Sequence, residues 1–199
     1  MTAALKWNLV SVDEYLASEL KSITKHEYLG GVVYAMAGAR VAHNDIAANI
    51  VVSVGARLRG KRCKVYTSDM KIRIRMEEHV RFYYPDASVI CRSNAPDSAF
   101  QDEPAAVFEV LSKATRRADT GEKKDGYLAI PSLIGYMLVE QEVPLVVVFR
   151  RTASEFAREV YEGIDAVIPL TEIEIELPLA EIYAGVEFTP EADEGESAN

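Results

Sequence analysis

Apolar and polar residues follow one another along the first third of the chain in patterns typical of two helices and one strand. Residues 11–21 carry apolar side chains at helical spacing, and Ser11 stands three positions before Glu14, so a short helix with a capping box is predicted. Residues 28–38 contain a glycine pair followed by apolar and aromatic residues, which indicates a strand and leaves open a hairpin with the residues before it. Residues 43–58 repeat apolar side chains every four positions, which predicts a longer helix.

The middle of the chain has the pattern of β-strands. In residues 65–76 apolar side chains alternate with charged ones, and in residues 82–91 Pro85 restricts the preceding residue to extended geometry. We expect both segments to be strands of one sheet. Residues 93–104 are polar and contain prolines, which indicates a loop, and residues 105–112 form a nearly continuous apolar run that fits a buried central strand.

The last third of the chain predicts a helix followed by antiparallel strands. Residues 113–130 read as a polar connection and a helix, and residues 134–140 as a strand that a hairpin joins to two further edge strands. Residues 187–199 have too little apolar content to pack, which predicts a disordered acidic tail after a single domain of residues 1–186. The order of elements indicates a mixed α/β sheet with flanking helices and antiparallel C-terminal strands.

Composition and charge refine this interpretation. A chain of 199 residues with 49% hydrophobic and 27% charged residues fits one globular domain. Its formal charge of -9 argues against a polyanionic partner, but residues 171–199 hold nine acids and no lysine or arginine. Residues 57–81, in contrast, hold nine bases and three acids. These bases could follow a phosphate backbone or form the solvated face of a strand, and any nucleic-acid binding should be local and salt-dependent.

The N-terminus and the two cysteines mainly exclude certain kinds of segment and site. The N-terminus lacks the basic start and apolar core of a signal peptide, and no apolar run reaches the length of a membrane helix, so we expect a cytoplasmic protein without a membrane partner. Cys63 and Cys91 lie 28 positions apart without a CxxC partner. This spacing supports neither a disulfide framework nor a zinc site, and we expect two buried or idle thiols.

Two acids in predicted strands are the main candidates for catalytic or metal-binding residues. Asp86 follows a proline at the start of one predicted strand, and Glu109 lies inside the apolar central strand. A carboxylate in such a strand is costly unless it is paired or binds a cation. If the strands are neighbours, both acids could bind Mg²⁺; the alternative is a salt bridge from Glu109 to Arg116 or Arg117.

A polar stripe follows Glu109. Thr115, Asp119, Lys123 and Tyr127 recur every four positions, so they share one face if the segment is helical. Lys123 could then reach the acids and orient a water or offset charge on a phosphate. The alternative is a surface ion pair between Asp119 and Lys123.

An ordered set of motifs adds a family resemblance. In chain order they are Glu27 before YLGGVVYAMAG, then His43, SDMKIRI, YYPDASVIC and FEVLS, and finally Thr115, Asp119, Lys123 and Tyr127 in TRRADTGEKKDGY. Together they resemble the bacterial Uma2 family, which is similar to the PD-(D/E)xK nucleases with their restriction-endonuclease-like fold. The resemblance spans about residues 8–185 and implies a mixed central sheet flanked by helices.

The resemblance also implies roles for individual residues. Asp86 would be the first acid and Glu109 the second, together binding Mg²⁺ or its substitute Mn²⁺, and Glu27 would be an additional acid. Leu111 stands where the superfamily usually has its lysine, so that role would pass to Lys123. The implied function is a magnesium-dependent endonuclease that hydrolyses phosphodiester bonds of nucleic acid, with DNA as the expected partner.

Other features leave alternatives open. His43 could stabilise the start of the helix, form a hydrogen bond or bind a metal. Asp69 is a weaker candidate for an acid of the site, because acids before strands are common turn residues. Apolar strands such as residues 144–151 invite edge pairing, so we expect a homodimer. The competing function is a catalytically silent binding or assembly module that keeps the nuclease fold.

Overall fold

The structure, a computed structural model, describes residues 9–36 and 38–188. Its helices are α1 (Val12–Glu19), α2 (Val41–Leu58), α3 (Arg116–Thr120), α4 (Glu122–Leu128) and α5 (Leu179–Ile182), with one 3₁₀ turn (Thr171–Ile173). Its strands are β1 (His26–Leu29), β2 (Val32–Ala35), β3 (Lys64–Thr67), β4 (Lys71–Arg75), β5 (Val80–Tyr83), β6 (Ala87–Ile90), β7 (Phe100–Gln101), β8 (Pro104–Val110), β9 (Gly135–Val139), β10 (Leu145–Arg151), β11 (Phe156–Glu162), β12 (Val167–Leu170) and β13 (Ile175–Pro178).

The strands form two mixed sheets and a small ribbon. One sheet has the order β2-β1-β5-β4-β7, the second has the order β11-β10-β9-β8-β6-β3, and β12 pairs with β13. The strand β8 is buried along its whole length, between an antiparallel β6 and a parallel β9. The predicted mixed α/β fold, the buried central strand and the antiparallel C-terminal strands are confirmed.

Alternation along β8 separates two cores. Phe108 and its even-numbered neighbours pack with Ile50 and other apolar residues of α2. Val107 faces the other way and packs with Ile74 of the five-stranded sheet and Tyr127 of α4. A third, aromatic core joins α1 to the outer face of the five-stranded sheet. The segment after β8 therefore lies between the two sheets, where its side chains can contact residues of both sheets.

Two predicted elements near the N-terminus are confirmed. Ser11 caps α1, since its hydroxyl accepts from the Glu14 amide at 3.3 Å and the Glu14 carboxylate accepts from the Ser11 amide at 2.9 Å. The hairpin left open by the sequence exists as β1 and β2. A tight turn of Gly30 (φ 56°) and Gly31 (φ 103°) joins these strands. This turn fixes the position of β1 and with it the side chain of Glu27.

The expectation that residues 65–76 and 82–91 share one sheet is wrong. Each segment contains a bend that sends its two halves to different sheets, so β3 and β6 pair in one sheet and β4 and β5 in the other. A turn in which the Met70 amide donates to the Thr67 carbonyl makes the first bend, and Pro85 lies at the second. Apolar alternation is preserved on both sides of such a bend, so the pattern alone did not reveal it.

Two further expectations are wrong. The helix predicted in residues 113–130 is two short helices, α3 and α4, that meet at Gly121. The apolar strand β10 is not an edge, because it lies between β9 and β11. Homodimer formation and the division into residues 1–186 and a tail stay predictions, and residues 189–199 of that tail lie outside the described part. Among the described residues no helix is long and apolar enough to span a bilayer.

The expectation of two idle thiols is also wrong. Cys63 and Cys91 form a disulfide. They lie at the next position beyond the paired residues Lys64 and Ile90, so the antiparallel register of β3 and β6 brings them opposite each other. A separation of 28 positions in sequence carries no signal of this pairing, which depends on strand register alone.

We predict that Gly31→Ala destabilises the protein by about 1–3 kcal/mol, because residue 31 has a positive φ that side chains avoid. A Cβ there would also lie 2.8 Å from the Leu9 side chain. Urea unfolding measures the change. Gly38→Ala is the matched control, since a Cβ at residue 38 meets no described atom within 4 Å. Equal stability of the two variants would contradict the prediction.

Candidate functional site

Strand register brings the two predicted acids together. Ala87 of β6 pairs with Phe108 of β8, which makes Asp86 and Glu109 the next opposite positions of this antiparallel pair. The Asp86 Oδ2 atom accepts a hydrogen bond from the Val110 amide at 2.7 Å, which fixes the carboxylate beside β8. The two strands are neighbours, as the interpretation of these acids as a pair requires.

Glu109 is a buried carboxylate that lies near Lys123 and near several other acids. Its side chain is 5% exposed, and its Oε1 atom has no hydrogen-bond partner among the described residues. Burial raises the pKa of Glu109 well above its ordinary value, and the nearby acids add to this while Lys123 opposes it. The alternative salt bridge is wrong for Arg116, whose guanidinium instead binds Glu140 at 2.7 and 2.5 Å.

Lys123 is the cation at the centre of the site. Its Nζ atom lies 2.7 Å from Glu27 Oε1, 3.4 Å from Asp119 Oδ1 and 3.9 Å from Glu109 Oε1. Burial by itself would lower the pKa of Lys123, but the surrounding carboxylates outweigh it and raise that pKa above its ordinary value. Lys123 therefore stays protonated, and the predicted approach of this lysine to the acids is present in the fold.

Glu27 and Asp119 reach the lysine from different elements. Glu27 belongs to β1 in the five-stranded sheet, and Asp119 to α3. Burial raises the pKa of both carboxyls, and Lys123 opposes the rise in each case. Asp119 is 2% exposed, so the alternative of a surface pair between Asp119 and Lys123 is wrong. The contact between Asp119 and Lys123 was indicated in the sequence by their spacing of four positions.

His43 hydrogen-bonds to the first acid. It lies in the first turn of α2, and its Nε2 atom is 2.9 Å from Asp86 Oδ1. Burial would lower the pKa of His43, but the hydrogen bond and the charge of Asp86 raise it. Of the alternatives for His43, the structure thus supports a hydrogen bond. Asp69 is exposed and pairs with Lys25 at 2.6 Å.

The donor set is compatible with a divalent ion. Buried oxygens of Glu27, Glu109 and Asp119 lack hydrogen-bond partners among the described residues. Glu27 Oε1 is nevertheless ion-paired with the Lys123 ammonium at 2.7 Å, so the buried oxygen farthest from that ammonium is Glu109 Oε1, at 3.9 Å. No group of three or more His, Cys, Asp or Glu side chains in the described part is arranged as a metal site. Mg²⁺ commonly takes one or two carboxylates and keeps waters, so Asp86 and Glu109 fit it without a third protein ligand.

Five of the nine bases in residues 57–81 are ion-paired within the fold. Arg73 binds Asp102 through two hydrogen bonds of 2.7 and 2.9 Å, and Lys71 is buried. The other paired bases are Arg57 with Glu181, Lys61 with Glu174, Arg75 with Asp102 and Arg81 with Glu122. Arg59, Arg62 and Lys64 are exposed and have no acidic partner among the described residues, so only these bases of the stretch remain open to a phosphate backbone.

The two mixed sheets and their flanking helices define the α/β fold of this chain. The same fold occurs in the crystal structure of "a putative nuclease belonging to DUF820" from Anabaena variabilis, with a TM-score of 0.67 and 18% sequence identity. This likeness covers 87% of the chain and 97% of that structure.

Sequence comparison identifies the family. The model of Uma2, described as "Putative restriction endonuclease", matches residues 12–180. The Synechocystis protein slr1290 is 31% identical over 181 residues, which are 90% of this chain and 94% of that protein. A second Synechocystis protein, sll1609, is 29% identical over 140 residues, or 67% and 76% of the two chains. The chain belongs to the Uma2 family, as the motifs predicted.

We predict that Glu109→Gln becomes more stable relative to the wild type as the pH rises above 4.5, the ordinary pKa of a glutamate. The folded chain holds the Glu109 proton more tightly than the unfolded chain, so ionisation of this group lowers stability between its unfolded and folded pKa. Urea unfolding with a chelator present, repeated across this pH range, measures the difference. The exposed Glu162→Gln is the control, and a difference that falls with pH would contradict the prediction.

Proposed function

We propose that this chain is a metal-dependent endonuclease that hydrolyses phosphodiester bonds of nucleic acid, with DNA as the expected substrate. The observation that carries the proposal is the opposed pair Asp86 and Glu109. A buried oxygen of Glu109 has no hydrogen-bond partner among the described residues, and the Lys123 ammonium lies 3.9 Å from it. Acids on adjoining strands beside a lysine suit hydrolysis of a phosphodiester. The description of the Uma2 family supports a nuclease in general.

In the proposed mechanism Asp86 and Glu109 would hold Mg²⁺, for which Mn²⁺ could substitute. When bound, the ion would polarise the phosphate and lower the pKa of a water. His43 orients Asp86 through its 2.9 Å hydrogen bond. Lys123, kept protonated by its acidic neighbours, stabilises negative charge that develops on the phosphate and is unsuited to act as a base. Glu27 positions Lys123 from the opposite sheet.

The position of the lysine on a helix has a structural explanation. Residue 111 follows Glu109 by two positions, so its side chain points to the same face of the extended chain. Leu111 is 3% exposed there and packs in the core between the sheets. The ammonium instead enters from α4, whose Lys123 side chain reaches the same space. This arrangement supports Lys123 in the role that the usual lysine has in related nucleases.

The partner and cellular setting are part of the proposal. Besides nucleic acid, we propose a homodimer and a cytoplasmic location.

Three exposed bases lie close in sequence to the site residues and have no acidic partner among the described residues: Arg40 before α2, and Lys113 and Arg117 after β8. Unlike the ion-paired bases of residues 57–81, these three have no acidic charge to offset, which supports their contact with a phosphate backbone.

The second candidate function is a silent binding module with a nuclease fold. It is favoured by one observation, namely that the Lys123 ammonium already lies among the carboxylates and is closest to Glu27. An internal cation of this kind can satisfy buried acids without a metal. Titration calorimetry with Mn²⁺ separates the two functions, since a silent module would bind no ion at micromolar concentration and cleave neither DNA nor RNA.

We predict that Asp86→Asn and Glu109→Gln abolish cleavage of DNA in Mg²⁺ or Mn²⁺, because each removes a negative ligand. Lys123→Met should lower the cleavage rate by about 10²–10³-fold through loss of charge stabilisation. Gel assays on DNA and RNA substrates measure the rates. Asp97→Asn in the exposed loop before β7 is the control. Cleavage that survives in Glu109→Gln would refute the assignment.

We also predict a salt-dependent contribution of the unpaired bases to DNA binding. Neutralising Lys113 or Arg117 with glutamine should reduce the slope of log affinity against log salt by about one per contact. Fluorescence anisotropy with Ca²⁺ in place of Mg²⁺ measures it. Arg158→Gln on the edge strand β11 is a matched control of equal charge change. Equal slopes for all variants would show that these bases do not contact phosphate.

A further inference from the structure

Asp119 is a buried acid of the site whose role the proposed mechanism leaves open. It lies in α3, where the residues before and after it are exposed, while its own side chain is 2% exposed. Its Oδ1 atom accepts no hydrogen bond from any described residue and lies 3.4 Å from Lys123 Nζ. Removing a carboxylate from water in this way costs free energy unless a nearby positive charge offsets it.

The backbone around Asp119 is held in place. The Tyr136 hydroxyl donates a 2.8 Å hydrogen bond to the Asp119 carbonyl oxygen, which ties α3 to β9. At Gly121 the chain changes direction between α3 and α4, and a Cβ at this glycine would lie 2.9 Å from the Arg117 carbonyl oxygen. The two short helices are therefore fixed so that Asp119 and Lys123 both point into the site.

The distances around Lys123 are unequal. Its ammonium is closest to Glu27 at 2.7 Å, next to Asp119 at 3.4 Å, and farthest from Glu109 at 3.9 Å. Glu27 and Asp119 thus hold the ammonium from β1 and α3, while Glu109 approaches from β8. A full ion pair between Lys123 and Glu109 would occupy the carboxylate that the proposed metal site needs.

We infer that Asp119 is a positioning residue of this site: together with Glu27 it holds the Lys123 ammonium away from direct pairing with Glu109 and so keeps the Glu109 carboxylate available to a divalent cation. The inference rests on the proposed function. Without Asp119, the ammonium loses one of its two nearer partners and moves toward Glu109, because opposite charges attract strongly in a buried environment. The lysine then competes with the metal for the same oxygen atoms.

Titration calorimetry with Mn²⁺ on four proteins tests this role: the wild type, Asp119→Asn, Lys123→Met and the double variant. Asp119→Asn should weaken Mn²⁺ binding about tenfold, the usual effect of losing a residue that orients a ligand. In the Lys123→Met background the same substitution should change the affinity less than twofold, because the competing ammonium is gone. Asp125→Asn, an exposed acid on α4, is the control and should bind Mn²⁺ as the wild type does.

The outcomes separate the possible roles of Asp119. Equal weakening with and without Lys123 would mean that Asp119 is itself a ligand or a purely structural residue, and would overturn the inference while leaving the metal site intact. A wild type that binds no Mn²⁺ would overturn the proposed metal function as well. Urea midpoints with a chelator present provide a metal-free measurement: non-additive shifts for Asp119→Asn and Lys123→Met support their contact, and additive shifts overturn it.

Discussion

The burial of several carboxylates around one ammonium group is the constraint on which the site depends. Ionised groups are costly to remove from water unless opposite charge lies beside them, and Lys123 is the cation that Glu27, Asp119 and Glu109 share. Burial raises the pKa of all three carboxyls, and the charge of Lys123 opposes that rise without cancelling it. Such a cluster favours additional positive charge, and this is the property that a divalent-ion site requires.

The two sheets are needed because the charges come from both of them. Glu27 is carried by a hairpin of the five-stranded sheet, whereas Asp86 and Glu109 are carried by adjoining strands of the six-stranded sheet. The helix α4 enters between the sheets and supplies Lys123 together with Tyr127, whose ring stacks on Tyr136. The apolar core around these rings keeps the helix in place, so packing and electrostatics depend on the same short segment.

Much of the site could be predicted because its parts lie in locally readable patterns. An acid after a proline at a strand start, an acid inside an apolar run and a spacing of four between Asp119 and Lys123 are all visible in the sequence. The sequence did not predict which basic residues form ion pairs. Arg73 is neutralised by Asp102, 29 positions later, and no local pattern indicates which acid a base will meet after folding.

The sequence by itself determined the helical or extended character of most segments, the buried strand that carries Glu109 and the residue types available for chemistry, because periodicity and propensity act over a few neighbouring positions. Only the tertiary structure decided that these elements form two sheets, that Cys63 and Cys91 meet, and that Asp119 is buried beside Lys123. These outcomes depend on strand register and on contacts between distant segments. Such long-range pairings are set by the packing of the whole chain rather than by local pattern.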